Sequence, residues 1–281
     1  MPCLVRHITA EETAAVIEAA RRRLPAMRTV ETMRALVTMI DHTSLSVTDS
    51  DESVRDFTRS MLEACRPAGV MPASVCVSPI FVESVGVELG DEPVAICSVA
   101  GGFPTGQTFP EVKMLECAMA MENGADELDI VADLGALGEG RYDEASSEIR
   151  LIKEEAGDDV VLKTIIETGS QEDLDDIYTA AIVALEGGTD FVKSSTGKNC
   201  GGVTPEAAAA LCMAVADYNA HCGTRAGVKV AGGVSSADDA LLYAAIAETV
   251  FGENVTPDMF RIGSSSLLGA VLKEIGVNPE I

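Results

Sequence analysis

Asp190-Phe191-Val192-Lys193-Ser194-Ser195-Thr196-Gly197-Lys198 is a short apolar run that ends in an amine, three hydroxyls, a glycine and a second amine. It reads as a buried strand opening into an anion-binding loop. Residues 205–218 follow with helical character, and then Gly227-Val228-Lys229-Val230-Ala231-Gly232-Gly233-Val234 repeats the order of apolar run, lysine and small residues. Strand, polar loop, helix and a second strand of the same design form the repeating unit of a parallel α/β fold. How often that unit recurs decides the fold.

Reading outward from this pair, strands are expected at residues 37–41, 74–78, 94–99, 127–131 and 160–166 before it and at 261–266 after it. Helical patterns fall between them at 51–65, from Pro79, and at 111–122, 142–156, 172–185 and 237–249. Eight strands alternating with helices predict a single-domain (β/α)8 TIM barrel of the α/β class. A doubly wound open sheet fits less well, because it has fewer strands and no GxGxxG follows the first one. Residues 9–24 and 29–36 also read as helices, the first opened by Thr9 and Glu12 as a capping box. The domain plan is therefore an N-terminal helical extension over 1–36 and a barrel over 37–281.

Composition limits what such a barrel binds. The 281 residues are 47% hydrophobic, enough for a large core, and carry a formal charge of -25 with a pI near 4.3. That balance argues against nucleic acid or an anionic membrane as partner. Positive charge is instead concentrated: four of the seven lysines (Lys163, Lys193, Lys198 and Lys229) lie in expected strands or in the loop just after one. The longest apolar run, 207–216, is too short to span a bilayer, and Arg6, Glu11 and Glu12 interrupt any signal-peptide core. Eight cysteines without a CxxC pair and only three histidines point to reduced core thiols in a cytoplasmic protein, with no zinc site and no cofactor.

In a TIM barrel the chemistry lies at the carboxyl ends of the strands, and the loops after strands seven and eight commonly hold phosphate. Gly232-Gly233 and Ser264-Ser265-Ser266 fall there, beside Thr196 and Lys198. A P-loop is excluded, because Val192 stands where its first glycine belongs. Strands six and seven are neighbours about 5 Å apart, so Lys193 and Lys229 face each other in the mouth. Two ammoniums that close repel, and one gives up its proton and becomes a nucleophile. Lowering a lysine pKa from about 10.4 to about 7 raises its neutral fraction at neutral pH on the order of a thousandfold. Asp129 is read as the acid that relays protons during imine chemistry. Asp41 is either a counter-ion or a contact for a substrate hydroxyl, and Lys163 a further charge in the same network. Glu167 is expected to cap the next helix, His42 to be packed or hydrogen-bonded rather than a base, and Cys76 to be core.

Several segments together resemble the deoxyribose-phosphate aldolase family: Ile40-Asp41-His42-Thr43, Val75-Cys76-Val77, Gly102-Phe103-Pro104-Thr105-Gly106, residues 124–131, 163–169, 190–198, 229–233 and 261–268. They run in order through nearly the whole barrel. The resemblance implies a class I aldolase that reversibly cleaves 2-deoxy-D-ribose 5-phosphate to D-glyceraldehyde 3-phosphate and acetaldehyde, through a lysine imine and without a metal, in carbohydrate degradation. It places the imine on Lys193, the activating lysine at Lys229 and the relay acid at Asp129. Thr196, Lys198, Gly233, Ser265 and Ser266 fall where the family holds phosphate, with Gly232, Asp41, Thr43 and Lys163 as neighbouring contacts to a small sugar phosphate. The acidic surface and the fold are compatible with a homo-oligomer, a dimer or larger. The chain departs from the pattern at Ile80, where an arginine is common, at Val230, where a proline is common, and in an extra residue before Phe103. It ends in Glu280-Ile281, where some members carry a tyrosine. Another lysine-barrel aldolase, a transaldolase, or a barrel that binds phosphate without catalysis are the competing readings.

Overall fold

The computed structural model describes residues 2–277 of the 281; Glu280-Ile281 lies outside them. Eight parallel strands close in chain order: β1 (Ile40–Thr43), β2 (Ser74–Val77), β3 (Ala95–Ala100), β4 (Glu127–Val131), β5 (Val161–Ile165), β6 (Phe191–Lys193), β7 (Gly227–Ala231) and β8 (Phe260–Ser264), the last pairing back onto the first. Around them run α1 (Ala10–Met27), α2 (Val30–Val37), α3 (Asp51–Ala68), α4 (Val82–Leu89), α5 (Pro110–Glu122), α6 (Leu134–Gly138), α7 (Tyr142–Ala156), α8 (Leu174–Glu186), α9 (Pro205–Cys222), α10 (Ala237–Phe251) and α11 (Leu267–Glu274). The architecture is the expected (β/α)8 barrel with helices ahead of it.

The first strand starts later than the sequence pattern indicates. Met33, Leu36 and Val37 are all buried and lie three and four residues apart, so the helical stripe of α2 carries through Val37 before the chain turns into β1. The sequence reading also passes over α6, a single turn whose start is capped by Asp133 accepting from the Ala136 amide at 2.9 Å. The capping box of α1 forms as read, with Thr9 and Glu12 exchanging bonds. That helix lies against α9 and α10, tied by ion pairs from Arg6 to Asp217 and from Arg23 to Glu248, and α2 lies against α11.

Apolar burial falls mainly between the barrel and its helices. There the alanine-rich faces of α9 and α10, from Ala207 to Ala210 and from Ala244 to Ala247, permit close packing. Inside the barrel the apolar content is small: Cys76, Cys97 and Val99, with Leu45 and Phe103 above them. Beside that cluster lies a layer of charged side chains. Because side chains alternate along a strand, Glu127, Asp129 and Val131 share the inward face of β4, and register sets Asp129 level with Lys163 and Lys193 level with Lys229.

Candidate active site

Every strand contributes a titratable group to the lumen: Asp41, Cys76, Cys97, Glu127 with Asp129, Lys163, Lys193, Lys229 and Arg261. Asp129 is the hub. Its Oδ2 accepts from Lys193 Nζ and from Lys229 Nζ, both at 2.6 Å, and its Oδ1 from Lys163 Nζ at 2.9 Å. The Cys97 thiol donates to the same Oδ1 at 3.2 Å and accepts from Lys163. Below the hub, Lys229 pairs with Asp41, and Arg261 donates to Asp41 at 2.8 Å and to Glu127 at 3.0 Å. Lys163 reaches Glu127 at 2.7 Å.

Burial of this set is costly unless the charges compensate one another. Burial pushes Asp129 toward its neutral form, but Lys163, Lys193 and Lys229 together hold its carboxyl well below the usual range. Asp41 is treated alike: burial opposes its charge, and Lys229, Lys163 and Arg261 overcome that. Conversely, burial disfavours the charge on Lys163 and Lys229, yet the adjoining carboxylates hold both above the ordinary lysine value. The set holds four cationic side chains (Lys163, Lys193, Lys229, Arg261) against three carboxylates (Asp41, Glu127, Asp129). Lys193 has a single carboxylate contact and shares that oxygen with Lys229.

Room for Lys229 comes from Gly263 on the neighbouring strand. A Cβ there would sit 3.1 Å from Lys229 Cε and 3.3 Å from Ala231 Cβ, tighter than ordinary contact.

Above the charged layer a cavity of about 310 Å³ opens at the carboxyl ends of the strands. Of the lumen's three lysines only Lys193 lines it. The wall continues through Thr43, Thr196, Lys198, Gly232, Gly233, Ser265 and Ser266. Among the described residues the N–H groups of Gly197, Gly233 and Ser265 have no hydrogen-bond partner, which leaves three donors in this wall; that of Gly232 is in register with the Gly263 carbonyl of β8. Gly232 is confined on two counts. Its φ is +85°, and a Cβ on it would lie 2.7 Å from Gly202 Cα.

A match to the model of the DeoC/LacD family aldolases covers residues 35–269. The chain belongs to that family. It is an aldolase, and so a lyase. Family members named deoxyribose-phosphate aldolase include one from Homo sapiens, 32% identical over 252 residues (85% of this chain and 79% of that protein), and one from Mus musculus, 33% identical with the same coverage. Among solved structures, the tetrameric deoxyribose phosphate aldolase of Aeropyrum pernix superposes with a TM-score of 0.68 at 28% identity, covering 95% of this chain and 97% of that one.

Within this aldolase barrel, the lumen brings together Lys193, Lys229, Asp129, Asp41 and Lys163, and the cavity wall gathers Thr43, Thr196, Lys198, Gly232, Gly233, Ser265 and Ser266. Three positions differ from part of the sequence reading. Asp41 and Lys163 are fully buried and bond to side chains of the lumen, so Asp41 is a counter-ion and neither forms part of the cavity wall. Glu167 stands at the N-cap position of a one-turn 3-10 helix, Thr168–Ser170, but its side chain makes no capping bond there; Asp173 caps α8, while the Glu167 carboxylate accepts from Thr196. Sequence reasoning passed over Glu127, Arg261 and Cys97. Glu127 was accessible, standing two residues before Asp129 and hence on the same strand face. Cys76 and Cys97 together with Asp129, and Asp41 and Cys97 with Glu127, lie close enough to share a cation. Those carboxylates already hold ammonium or guanidinium groups, which a metal would have to displace.

Among the described residues no helix is long and apolar enough to cross a membrane.

Proposed function

We propose that the chain cleaves 2-deoxy-D-ribose 5-phosphate reversibly to D-glyceraldehyde 3-phosphate and acetaldehyde, through an imine on Lys193. The observation that carries this reading is the placement of the Lys193 amine, which touches the buried Asp129 on one side and forms part of the cavity wall on the other. Lys193 passes a proton to the Asp129 side and attacks C1 of the open-chain aldehyde. The carbinolamine loses water, with Asp129 returning the proton to the departing oxygen. The C3 hydroxyl then gives up its proton, the C2–C3 bond breaks, and its electron pair runs into the iminium as an enamine. Protonation at C2 and addition of water release acetaldehyde and restore the amine. Lys229, held charged between Asp129 and Asp41, keeps Asp129 ionised between turns.

The phosphate end is assigned to the donors of Gly197, Gly233 and Ser265, with Lys198 as the local cation. One Lys198 N–H already goes to the Leu45 carbonyl at 2.7 Å, which leaves its other donors for an anion. A dianion entering a chain of formal charge -25 needs such a site.

The relatives support assembly with copies of this chain, one of them being tetrameric. Phe109, Val112, Leu115 and Met119 form an exposed apolar stripe at and along α5, and we assign that face to a second copy. The eight free cysteines suit a reducing cytoplasm.

Borohydride trapping tests the chemistry. After incubation with acetaldehyde, reduction and digestion, a two-carbon adduct is expected on Lys193. An adduct on Lys229 would exchange the two lysines' roles, and no adduct would leave a barrel that binds phosphate without reacting.

A further inference from the structure

Glu167 carries two costs at once. It is fully buried, and among the described residues it is the single non-glycine with a left-handed backbone, φ 47°. Strain of that sort persists where the surroundings impose it, commonly at functional sites. Its carboxylate has no cation beside it; among the described residues its side-chain partners are all on Thr196, whose hydroxyl donates at 2.5 Å and whose N–H lies 3.3 Å from each oxygen. A buried acid so placed must draw its compensation from one residue of the neighbouring loop.

That residue begins the cavity wall. The Thr196 hydroxyl, while donating to Glu167, accepts from the Lys198 N–H at 3.1 Å. The amides on either side of Gly197 are thus directed inward, and the Gly197 amide, at φ +70°, is the one left without a partner in that turn. The loop after β5 is locked onto the same segment: the Thr168 N–H donates to the Ser194 carbonyl at 2.7 Å, and a Cβ on Gly169 would lie 2.0 Å from the Cys200 carbonyl oxygen. Glu167 reaches Lys193 only through this loop and is not part of the cavity wall.

We propose that Glu167 is a positioning residue for the phosphate end of the substrate: through Thr196 it shapes the turn that presents the Gly197 amide and Lys198, and so sets the preference for phosphorylated over unphosphorylated aldehydes. This deepens the reading given under Proposed function and rests on its phosphate assignment. The carboxylate acts by accepting two donors, a task that a glutamine oxygen performs in part and an alanine not at all.

The test is the ratio of kcat/KM for 2-deoxyribose 5-phosphate to that for unphosphorylated 2-deoxyribose, in the unmodified chain, Glu167→Gln and Glu167→Ala. The ratio is expected to fall about tenfold or more in Glu167→Ala, the scale of one lost hydrogen bond to a charged group, mainly through KM of the phosphorylated sugar, and less in Glu167→Gln. An equal loss on both sugars, or no loss on either, overturns the proposal. If Glu167→Ala does not fold, the near-isosteric Glu167→Gln carries the test alone: a lowered ratio upholds the proposal and an unaltered one overturns it. If the unmodified chain itself shows no preference for the phosphorylated sugar, the phosphate assignment fails first; if it does and Glu167→Ala keeps that preference, only the role of Glu167 fails.

Discussion

His42 offers a direct measure of what burial costs in this barrel. It lies on β1, and its ring stacks on Phe57 of α3 with centroids 4.0 Å apart. Neither ring nitrogen has a hydrogen-bond partner among the described residues. Burial pushes its pKa down from 6.5 to about 3. The folded value is depressed, so protons bind the unfolded chain preferentially; the stabilisation is complete above about pH 6.5 and is lost as pH falls toward 3. The slope is about 1.4 kcal/mol per pH unit, or roughly 2.5 kcal/mol between pH 6.5 and 4.5, a large part of a typical net stability of about 5–15 kcal/mol. Urea unfolding at pH 7.5, 6.5, 5.5 and 4.5 should be run on the unmodified chain and on His42→Phe, which preserves the stack and cannot titrate. Carboxylates are common to both, so the difference between the two curves isolates His42. It should be flat above pH 6.5, with His42→Phe no less stable there, since the replacement removes two unmet polar atoms. Below that it should widen by about 1.4 kcal/mol per unit. Parallel curves through the whole range would refute the reasoning.

Three further outcomes are expected. Gly263→Ala puts a methyl 3.1 Å from Lys229 Cε; since a misplacement of about 1 Å can cost on the order of a hundredfold in rate, a shift of about half that should lower kcat about tenfold, and unaltered turnover would show that the position of Lys229 does not limit the rate. Arg261→Met leaves Asp41 and Glu127 each short of a buried partner, a loss of about 3–5 kcal/mol and of order 10 °C in Tm by calorimetry, with Arg261→Lys recovering only part because it cannot bridge both carboxylates. Leu115→Glu, in the middle of the exposed α5 stripe, should shift the chain toward smaller species in sedimentation velocity while imine trapping at Lys193 continues; an unaltered sedimentation profile would remove that face as the contact between copies.

The barrel was legible in the sequence because its strands are continuous apolar runs, and a lysine or aspartate inside such a run stands out. Lys193, Lys229 and Asp129 were found that way, and in the structure both amines meet at Asp129 Oδ2. What escaped depended on direction rather than spacing. Thr196 and Gly197 could be assigned to the cavity wall, but that the Thr196 hydroxyl turns away to Glu167 follows from the left-handed backbone at 167, which no local pattern announces. Arg261 stands in the eighth strand without any sign that it reaches Asp41 and Glu127 across the lumen, since those contacts separate residues by 220 and 134 positions. The late start of β1 was missed because Val37 suits a strand and a buried helix stripe equally well.

The order in which the lumen's charges are laid along the chain has its own consequence. Asp41, Glu127 and Asp129 all lie on β1 to β4, and Lys163, Lys193, Lys229 and Arg261 all lie on β5 to β8. A ribosome therefore completes the three lumen carboxylates before it makes the first of the lumen's four cations. The leading half cannot dehydrate its carboxylates alone, and the trailing half cannot bury its amines alone; each is the other's counter-ion. Closure of the barrel and neutralisation of its lumen are one event, so a half-made chain has neither a stable interior nor a reactive amine to expose to cellular aldehydes.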